Sequence, residues 1–369
     1  MIDITPPKQP TRRRAPHRLR AWMRKHKYTS WMIWAALIVL GAVGVAYLMY
    51  AITTPSHIPQ LIKSVYHKPK EIHHYSPLTG VEVPSEADTA KAVTGIMIEN
   101  SPDARPQSGL KQAGIVYEAV AEGGITRFLA LYQNEKPKLI GPVRSLRMYY
   151  LDWAAPYQAS ITHFGGSLYS LREVSNGKYR NLDLMTGSTA YYWRATDRYA
   201  PHNVYTDFVK LDSLNKKAGY TSSEFTAWPR QDGKPAEAPS ATSIDIRISS
   251  AAYNPHYAYD AKTNTYLRTI NGQPSNDREL GQLSPNVVIA MNVAMQSVLQ
   301  DGYREEITTS GTGSAIIFQN GTATKATWHK DGRTNPLTFT DAEGKQITLN
   351  RGQTWVTAVP NDSERVTWQ

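Results

Sequence analysis

The chain has 369 residues, a length that predicts about two domains, and its 41% hydrophobic and 20% charged residues are typical of a globular protein. Because it contains no cysteine, disulfide scaffolds, cysteine zinc sites, iron–sulfur clusters and cysteine lipidation are excluded. The formal net charge is +10, but residues 1–28 hold nine lysines and arginines against one acidic residue. The rest of the chain is nearly neutral, so no nucleic-acid partner is expected.

A membrane anchor is predicted directly after this basic cytoplasmic tail, 1–28. From Trp31 to Ile52 there is no charged side chain, and as a helix this run matches a hydrocarbon core roughly 30 Å thick. We therefore place a single transmembrane helix within 29–54. A cleaved signal peptide is the alternative, but its apolar segment is usually shorter, roughly 7 to 15 residues. The positive-inside rule predicts a type II signal anchor at the cell membrane, with the later domains extracytoplasmic.

Two stretches of irregular composition divide the rest of the chain. Residues 55–75 mix proline, histidine and lysine without apolar periodicity, and we interpret them as a spacer. Residues 229–240 contain three prolines and a glycine between patterned stretches, which predicts a linker. These boundaries give one domain at 76–228 and a second at 241–369.

The domain at 76–228 alternates apolar runs with helix-like stretches, which favours an α/β sandwich that carries the candidate ligand site. Strands are predicted at 93–98, 114–119, 127–133, 138–143 and 159–163. Helices are predicted at 147–155, 168–175 and 207–218.

The domain at 241–369 has dense turn signals, such as Asn271-Gly272 and Asn320-Gly321, between short β-rich runs. Strands are predicted at 243–248, 286–293, 314–318 and 354–359. The expected fold class is therefore α+β: a single N-terminal transmembrane helix, an α/β sandwich domain and a mostly antiparallel β domain.

Four arginines of the first domain lie at predicted strand ends or loop starts: Arg105, Arg127, Arg144 and Arg147. Guanidinium groups that converge from strand ends suit a bidentate phosphate or carboxylate ligand. The alternative is that these arginines form structural salt bridges with Glu118, Glu122 or Asp152. The sequence leaves both interpretations open.

Further candidates lie beside these arginines. His163 ends a predicted strand and Ser167 follows a glycine pair, which allows close backbone approach to a ligand, so both join the predicted ligand site. His163 with Glu118 or Glu122 is also the candidate set for acid–base catalysis. A histidine satisfied within the core is the alternative. No cofactor and no metal site are expected, and G-x-S-x-G, H-E-x-x-H and Walker motifs are absent.

Several motifs together carry a family resemblance. S-P-L-T-G (76–80), A-R-P-Q-S-G-L (104–110), Y-E-x-x-x-E-G-G-I-T-R-F (117–128), G-P-V-R-S (141–145) and H-F-G-G-S (163–167) are similar to YerB-type bacterial envelope proteins, as is Y-D-x-x-T-x-x-Y-x-R (259–268). The resemblance implies an exported, membrane-attached bacterial protein with two domains of unknown function. The type member is held by an N-terminal lipidated cysteine, which this chain lacks.

A weaker resemblance is to the LytR-CpsA-Psr glycopolymer transferases, type II membrane proteins that use arginines at strand ends around a polyprenyl pyrophosphate. The run from Arg127 to Ser145 is similar to a hairpin of that family. Ser145 stands where that family has an acid next to the arginine, which puts magnesium binding in doubt.

Three functions remain as expectations. The first is a membrane-anchored envelope protein that binds an anionic, phosphate-bearing ligand, a glycopolymer or lipid-linked phosphate, through the arginine cluster. The second is a transferase or hydrolase of envelope glycopolymers, and the third is an interaction scaffold for a cell-wall enzyme. One cleft shared by the arginines and His163 would favour a ligand site, whereas Glu118 in the core beside an arginine would favour a structural role.

Overall fold

The computed structural model describes residues 27–53, 72–187, 189–298, 304–362 and 364–369. The chain divides into two compact units, Met1–Ile72 and His73–Gln369. Nearly all of the predicted tail 1–28 and most of the predicted spacer 55–75 lie outside the described residues.

The first unit contains one long helix, α1 (Lys27–Thr53). Its segment Trp31–Thr53 is long and apolar enough to cross a membrane. Apolar side chains along it are exposed, including Leu40 at 67% and Val45 at 63%. A helix that is apolar on all its faces has the composition of a membrane span.

The second unit is rich in strands and has few helices. The helices are α2 (Glu86–Thr89), α3 (Met148–Ala154), α4 (Leu168–Val174) and α5 (Phe208–Lys217), with short 3-10 turns at Pro102–Ala104, Leu110–Gln112, Ala155–Tyr157 and Thr189–Tyr191. The strands are β1 (His74–Tyr75), β2 (Glu82–Val83), β3 (Thr94–Glu99), β4 (Ile115–Glu122), β5 (Ile125–Tyr132), β6 (Ser160–His163), β7 (Arg180–Asp183), β8 (Trp193–Arg194), β9 (Val204–Tyr205), β10 (Arg230–Gln231), β11 (Ser243–Ile246), β12 (Pro255–Asp260), β13 (Thr265–Ile270), β14 (Gln273–Pro274), β15 (Asn276–Asp277), β16 (Gly281–Gln282), β17 (Val287–Val293), β18 (Met295–Val298), β19 (Arg304–Ile307), β20 (Gly311–Gln319), β21 (Thr322–Lys330), β22 (Thr338–Thr340), β23 (Leu349–Asn350), β24 (Thr354–Pro360) and β25 (Val366–Trp368).

A twelve-stranded sheet organises this unit, with the main order β22-β21-β20-β17-β24-β4-β5-β3-β6-β7. Strands β17, β24 and β4 are parallel, β5 runs antiparallel to both β4 and β3, and β3, β6 and β7 are again parallel. The six strands β17, β24, β4, β3, β6 and β7 therefore point the same way. Their carboxyl ends form one edge of the sheet, the carboxyl edge, and their amino ends form the opposite amino edge.

Both faces of this sheet are buried, so β4 and β5 are nearly continuous apolar runs. Met97 and Leu129 belong to the cluster that includes α3, whereas Ile98 and Phe128 belong to the cluster that includes α5. Because successive strand residues point to opposite faces, the two clusters lie on the two sides of the sheet.

A second, five-stranded sheet has the order β14-β13-β12-β11-β25 and is antiparallel throughout. Tyr257 and Tyr266 from this sheet share a buried cluster with Val288 and Phe318 of the large sheet. The expected α+β class is confirmed, with its strands far outnumbering its helices among the described residues.

The predicted strand 138–143 was wrong, because this segment makes only isolated bridges at Ile140, Gly141 and Val143. Pro142 has no N–H to give to a ladder, and Gly141 has φ +152°. The segment still positions the neighbouring strand, since the Pro142 carbonyl accepts from Glu99 N at 3.0 Å.

The large sheet crosses the predicted boundary at 229–240. Strand β4 of the first predicted domain pairs in parallel with β24 of the second, in the register Val116 to Trp355. Within the predicted linker, β10 pairs with β23. The division into domains at 76–228 and 241–369 stays a prediction, while the sheet itself is continuous.

Candidate functional site

The carboxyl edge carries most of the charged candidates. Glu122, Glu99, His163 and Asp183 end β4, β3, β6 and β7. Glu99 lies directly opposite Arg127 in the β3–β5 ladder, and directly opposite residues have Cβ atoms about 5 Å apart. Ligands of open sheets with parallel strands bind outside such strand ends.

Arg127 and Arg147 are both paired with one carboxylate. Arg127 Nη2 lies 2.7 Å from Glu122 Oε1, and Arg147 Nη2 lies 2.7 Å from Glu122 Oε2. Arg127 is only 2% exposed and also donates from Nη1 to the Ser145 carbonyl at 2.9 Å. Burial alone would raise the pKa of Glu122, but the two arginines outweigh it and lower that pKa.

A second group, the Glu99 cluster, consists of Glu99, Ser101, Arg144 and His202. Glu99 Oε1 accepts from Ser101 Oγ at 3.0 Å, contacts His202 Nδ1 at 2.9 Å and lies 3.2 Å from Arg144 Nε. Glu99 is 3% exposed, and its other oxygen, Oε2, is buried without a hydrogen-bond partner within the described residues. A buried acceptor without a partner is destabilising unless another group completes its bonds.

Arg144 and His202 are the partly exposed members of this cluster. Their side chains are 25% and 22% exposed, whereas Glu99 beneath them is buried. Within the described residues, Arg144 forms an ion pair with Glu99. His202 Nε2 faces the exposed Asp103, whose Oδ2 is 4.0 Å away. The cluster therefore has two partly exposed basic side chains beside a buried carboxylate.

Arg105 is held by neutral groups. It donates from Nε to Asn100 Oδ1 at 3.1 Å and from Nη2 to the carbonyls of Asn100 and Ala252, each at 2.9 Å. Its guanidinium lies over the Tyr253 ring, 5.4 Å from the centroid. Through these contacts Arg105 joins the loop after β3 to the segment before β12.

Glu118 lies in the core beside an arginine from the second predicted domain. Both residues are fully buried, and Arg268 Nη2 is 3.1 and 3.0 Å from the two carboxylate oxygens of Glu118. Trp355 Nε1 donates to Glu118 Oε2 at 3.1 Å. Both oxygens of Glu118 are thus bonded and shielded from solvent, which favours the structural interpretation for this residue.

His163 and Ser167 are also engaged locally. His163 is fully buried, with Nδ1 2.8 Å from the Gly165 carbonyl and Nε2 2.9 Å from Asn181 Oδ1. Ser167 caps α4, because its hydroxyl accepts from Ser170 N at 3.3 Å. Their roles as ligand-binding residues stay predictions, with these contacts supporting the core and capping alternatives.

The four arginines gather at one edge, but neither they nor His163 line any of five cavities found among the described residues. These cavities have volumes from 380 to 800 Å³ and walls made of other side chains. Arg127 and His163 are enclosed, and Arg105 is tied to carbonyl groups. Arg144 is consequently the arginine best placed to meet a ligand.

Sequence reasoning missed Glu99 as a candidate and made no prediction for Arg268. The polar sequence Glu99-Asn100-Ser101 directly after an apolar strand was a signal for a strand-end site. The partnership of Glu99 with His202 had no local signal, because 103 positions separate them along the chain.

Comparisons with known proteins give the same architecture. Two family models match, "Protein of unknown function (DUF3048) N-terminal domain" at residues 78–221 and "Protein of unknown function (DUF3048) C-terminal domain" at residues 244–356. The chain is 31% identical over 291 residues to the Bacillus subtilis protein named "Putative lipoprotein YerB", covering 78% of this chain and 86% of that protein. The chain belongs to the YerB family.

A solved structure of the family has the same fold. The crystal structure of YerB from Bacillus subtilis matches with a TM-score of 0.72 at 28% identity, covering 80% of this chain and 99% of that one. The expected YerB resemblance is confirmed. The two matched segments lie on either side of the predicted linker 229–240, and they meet in the large sheet through β4 and β24.

Proposed function

We propose that this YerB-family protein is a membrane-anchored extracytoplasmic protein of the bacterial envelope that binds a phosphate-bearing ligand at the Glu99 cluster. Arg144 supplies the charge and His202 a second donor. The ligand class is an anionic envelope glycopolymer or lipid-linked phosphate. The observation that carries this proposal is the partly exposed side chain of Arg144, whose Nε lies 3.2 Å from the buried Glu99.

The location is supported by α1 and the sequence before it. Trp31–Thr53 is apolar enough to span a bilayer, and the nine basic residues of 1–28 precede it. The positive-inside rule favours retention of such a tail in the cytoplasm. The relative from Bacillus subtilis is named as a lipoprotein, a class held at a membrane by lipid, so a helix here would replace that anchor.

Protease protection tests this orientation. On intact, wall-stripped cells, added protease should digest an epitope fused after Gln369 and spare one fused before Met1. Protection of the C-terminal epitope would contradict both the topology and the envelope function.

The charge balance at the carboxyl edge supports an anionic ligand. Three arginines, Arg127, Arg144 and Arg147, pair with only two carboxylates, Glu122 and Glu99. Glu122 balances Arg127 and Arg147 within the protein, so these two support the edge without facing a ligand. Guanidinium groups such as that of Arg144 bind phosphate through paired N–H donors.

Titration calorimetry with pyrophosphate tests the proposal, using the full-length protein in detergent. Arg144→Gln should weaken binding by about tenfold or more, because a charge-assisted bond of roughly 1.5–3 kcal/mol is lost. Arg172→Gln removes an exposed arginine from α4 and is the matched control, with unchanged affinity expected. The proposal fails if the wild-type protein does not bind pyrophosphate or if Arg144→Gln binds it equally well.

An enzymatic function is the second candidate, favoured by the contact between Glu99 and His202. A buried carboxylate on Nδ1 orients the imidazole and leaves Nε2 to accept a proton from water or a hydroxyl. We propose this pair, in place of Glu118, Glu122 and His163, as the acid–base group of a glycopolymer transferase or hydrolase. Release of phosphate from a lipid-linked pyrophosphate should then be abolished in His202→Gln and retained in His256→Gln, a control that changes an exposed histidine.

A further inference from the structure

The exposed side chain of Arg194, on β8, is a further cation beside the Glu99 cluster. Its Nη1 donates to Asn203 Oδ1 at 2.8 Å. Its guanidinium also lies over the Phe164 ring, 5.3 Å from the centroid. An amide and an aromatic ring hold a guanidinium in place without offsetting its charge, so Arg194 is positioned and still cationic.

These two anchors connect Arg194 to both basic members of that cluster. Asn203 directly follows His202 in the chain, and Phe164 N donates to the Arg144 carbonyl at 3.1 Å. Arg194 does not share their carboxylate, which contacts only Arg144 and His202 among the basic side chains of the described residues. The surface therefore carries two separately held basic groups, one of them Arg194 alone.

Two carboxylates lie in the cavity that Arg194 helps to line, but they face a different arginine. The cavity has a volume of 380 Å³, and Asp197 and Glu279 are part of its wall. Asp197 Oδ2 lies 2.7 Å from Arg278 Nη2, and Glu279 Oε1 lies 3.9 Å from Arg278 Nε. Within the described residues neither carboxylate forms an ion pair with Arg194, which leaves this arginine for an anion from solution.

Arg198, four positions further along the chain, shows the opposite arrangement. Its two terminal nitrogens donate to the carbonyls of Ala104 and Pro106, at 2.5 and 2.6 Å, so it joins two loops of the protein. Nε and Nη2 of Arg194, in contrast, have no hydrogen-bond partner in the described part of the chain. Two parallel N–H groups of this kind are the donors with which a guanidinium binds one phosphate.

We propose that the ligand of the Glu99 cluster is a polymer with repeated phosphates, and that Arg194 binds a second phosphate of the same chain. This inference rests on the proposed function and selects a polymer phosphate over a lipid-linked one. A single phosphate or pyrophosphate group occupies the site of Arg144 and His202, whereas a chain of phosphates extends to Arg194 as well. Because linked contacts act at a high effective concentration, a second contact strengthens binding even when it is weak alone.

Titration calorimetry with three probes tests this proposal, using the full-length protein in detergent. Long-chain linear polyphosphate should bind the wild-type protein about tenfold more tightly than pyrophosphate does. Arg194→Gln should weaken polyphosphate binding by about fivefold or more and change pyrophosphate affinity by less than about twofold. Farnesyl pyrophosphate represents a lipid-linked ligand, and its affinity should not respond to Arg194→Gln. Arg194→Lys retains the charge and should bind polyphosphate more tightly than Arg194→Gln.

The pyrophosphate measurement also shows whether the Glu99 cluster is intact in Arg194→Gln. Arg172→Gln, at an exposed arginine of α4, is the matched control and should bind every probe as the wild type does. Absence of pyrophosphate binding in the wild type would count against the proposed function itself. The further inference alone is overturned if polyphosphate binds no more tightly than pyrophosphate, if Arg194→Gln binds polyphosphate as well as the wild type, or if this variant weakens all three probes equally.

Discussion

Two glutamates of the first matched segment, Glu118 and Glu99, differ in how completely their carboxylates are hydrogen-bonded. Glu118 lies in mid-sheet, where Arg268 and Trp355 bond both of its oxygens and none of the three is exposed. Glu99 lies at the carboxyl edge, where one oxygen is shared by several groups and the other has no partner within the described residues. The same pairing of glutamate with arginine thus occurs once as a closed pair and once as an open one.

The difference teaches how to separate structural from functional charges. A closed pair joins two chain segments, and its carboxylate oxygens are already bonded and shielded from a ligand. An open pair keeps exposed donors, as Arg144 and His202 do, and is poorly optimised for stability. The number of bonds already made, rather than the residue types, distinguishes them.

The largest effect is expected from Arg268→Met. It leaves the carboxylate of Glu118 buried without its cation and should lower the free energy of unfolding by about 3–5 kcal/mol. Urea unfolding followed by tryptophan fluorescence measures this loss. The double variant Glu118→Leu/Arg268→Met should recover most of it, because no charge then remains buried. A loss below that of Arg144→Gln would break the comparison.

Glu122→Gln should come next, at about 1.5–3 kcal/mol, because Arg127 and Arg147 both lose their carboxylate partner. The pKa of Glu122 is lowered from its ordinary value of 4.5, so its stabilisation is present above that pH and is lost as the pH falls further. Wild-type and variant stabilities should therefore converge as the pH falls through this lowered pKa. Parallel curves down to acid pH would contradict the role assigned to Glu122.

Lys330 is a buried cation whose substitution should have an effect between those of Arg268→Met and Arg144→Gln. It is 1% exposed and donates to the carbonyls of Gly332 and Arg333, and burial lowers its pKa to about 8. The unfolded chain then binds more protons than the folded one between pH 8 and about 10, so stability should rise with pH there. Lys330→Met should remove this rise, about 1–2 kcal/mol, in urea unfolding measured across that range. An identical rise of stability with pH in the variant would show that a group other than Lys330 causes it.

Arg144→Gln should have the smallest effect on stability, under about 1 kcal/mol, because its guanidinium is partly exposed and has one ion pair. The same urea measurement checks it. Together with weaker pyrophosphate binding, a small loss would mark Arg144 as available for a ligand. A loss as large as that of Arg268→Met would show that the Glu99 pair is structural too.

Much of the fold could be predicted because its signals are local. The apolar runs around Ile96, Val116 and Leu129 are strands, and Asp207 caps α5 where the pattern placed a helix start. The segment around Pro142 misled because its apolar residues satisfy the periodicity, although proline and a positive φ at Gly141 prevent a ladder.

The site was less predictable because it depends on partners that are distant in the sequence. Four arginines at predicted strand ends or loop starts could be recognised, and the fold does bring them to one edge. Glu99 and Glu122 determine which of these arginines are paired. The burial of Glu118 depends on Arg268, which lies 150 positions away. Residue composition and spacing do not indicate such long-range pairs.

The parallel pairing of β4 with β24 also determines when the molecule can finish folding. Strand β4 is complete once residue 122 has been synthesised, but its neighbour ends at Pro360. Until then one edge of β4 lacks its backbone partners, and an open strand edge readily pairs with another chain. During synthesis the central sheet therefore stays incomplete beside β4 until Pro360 has been added, more than 230 residues after β4 itself.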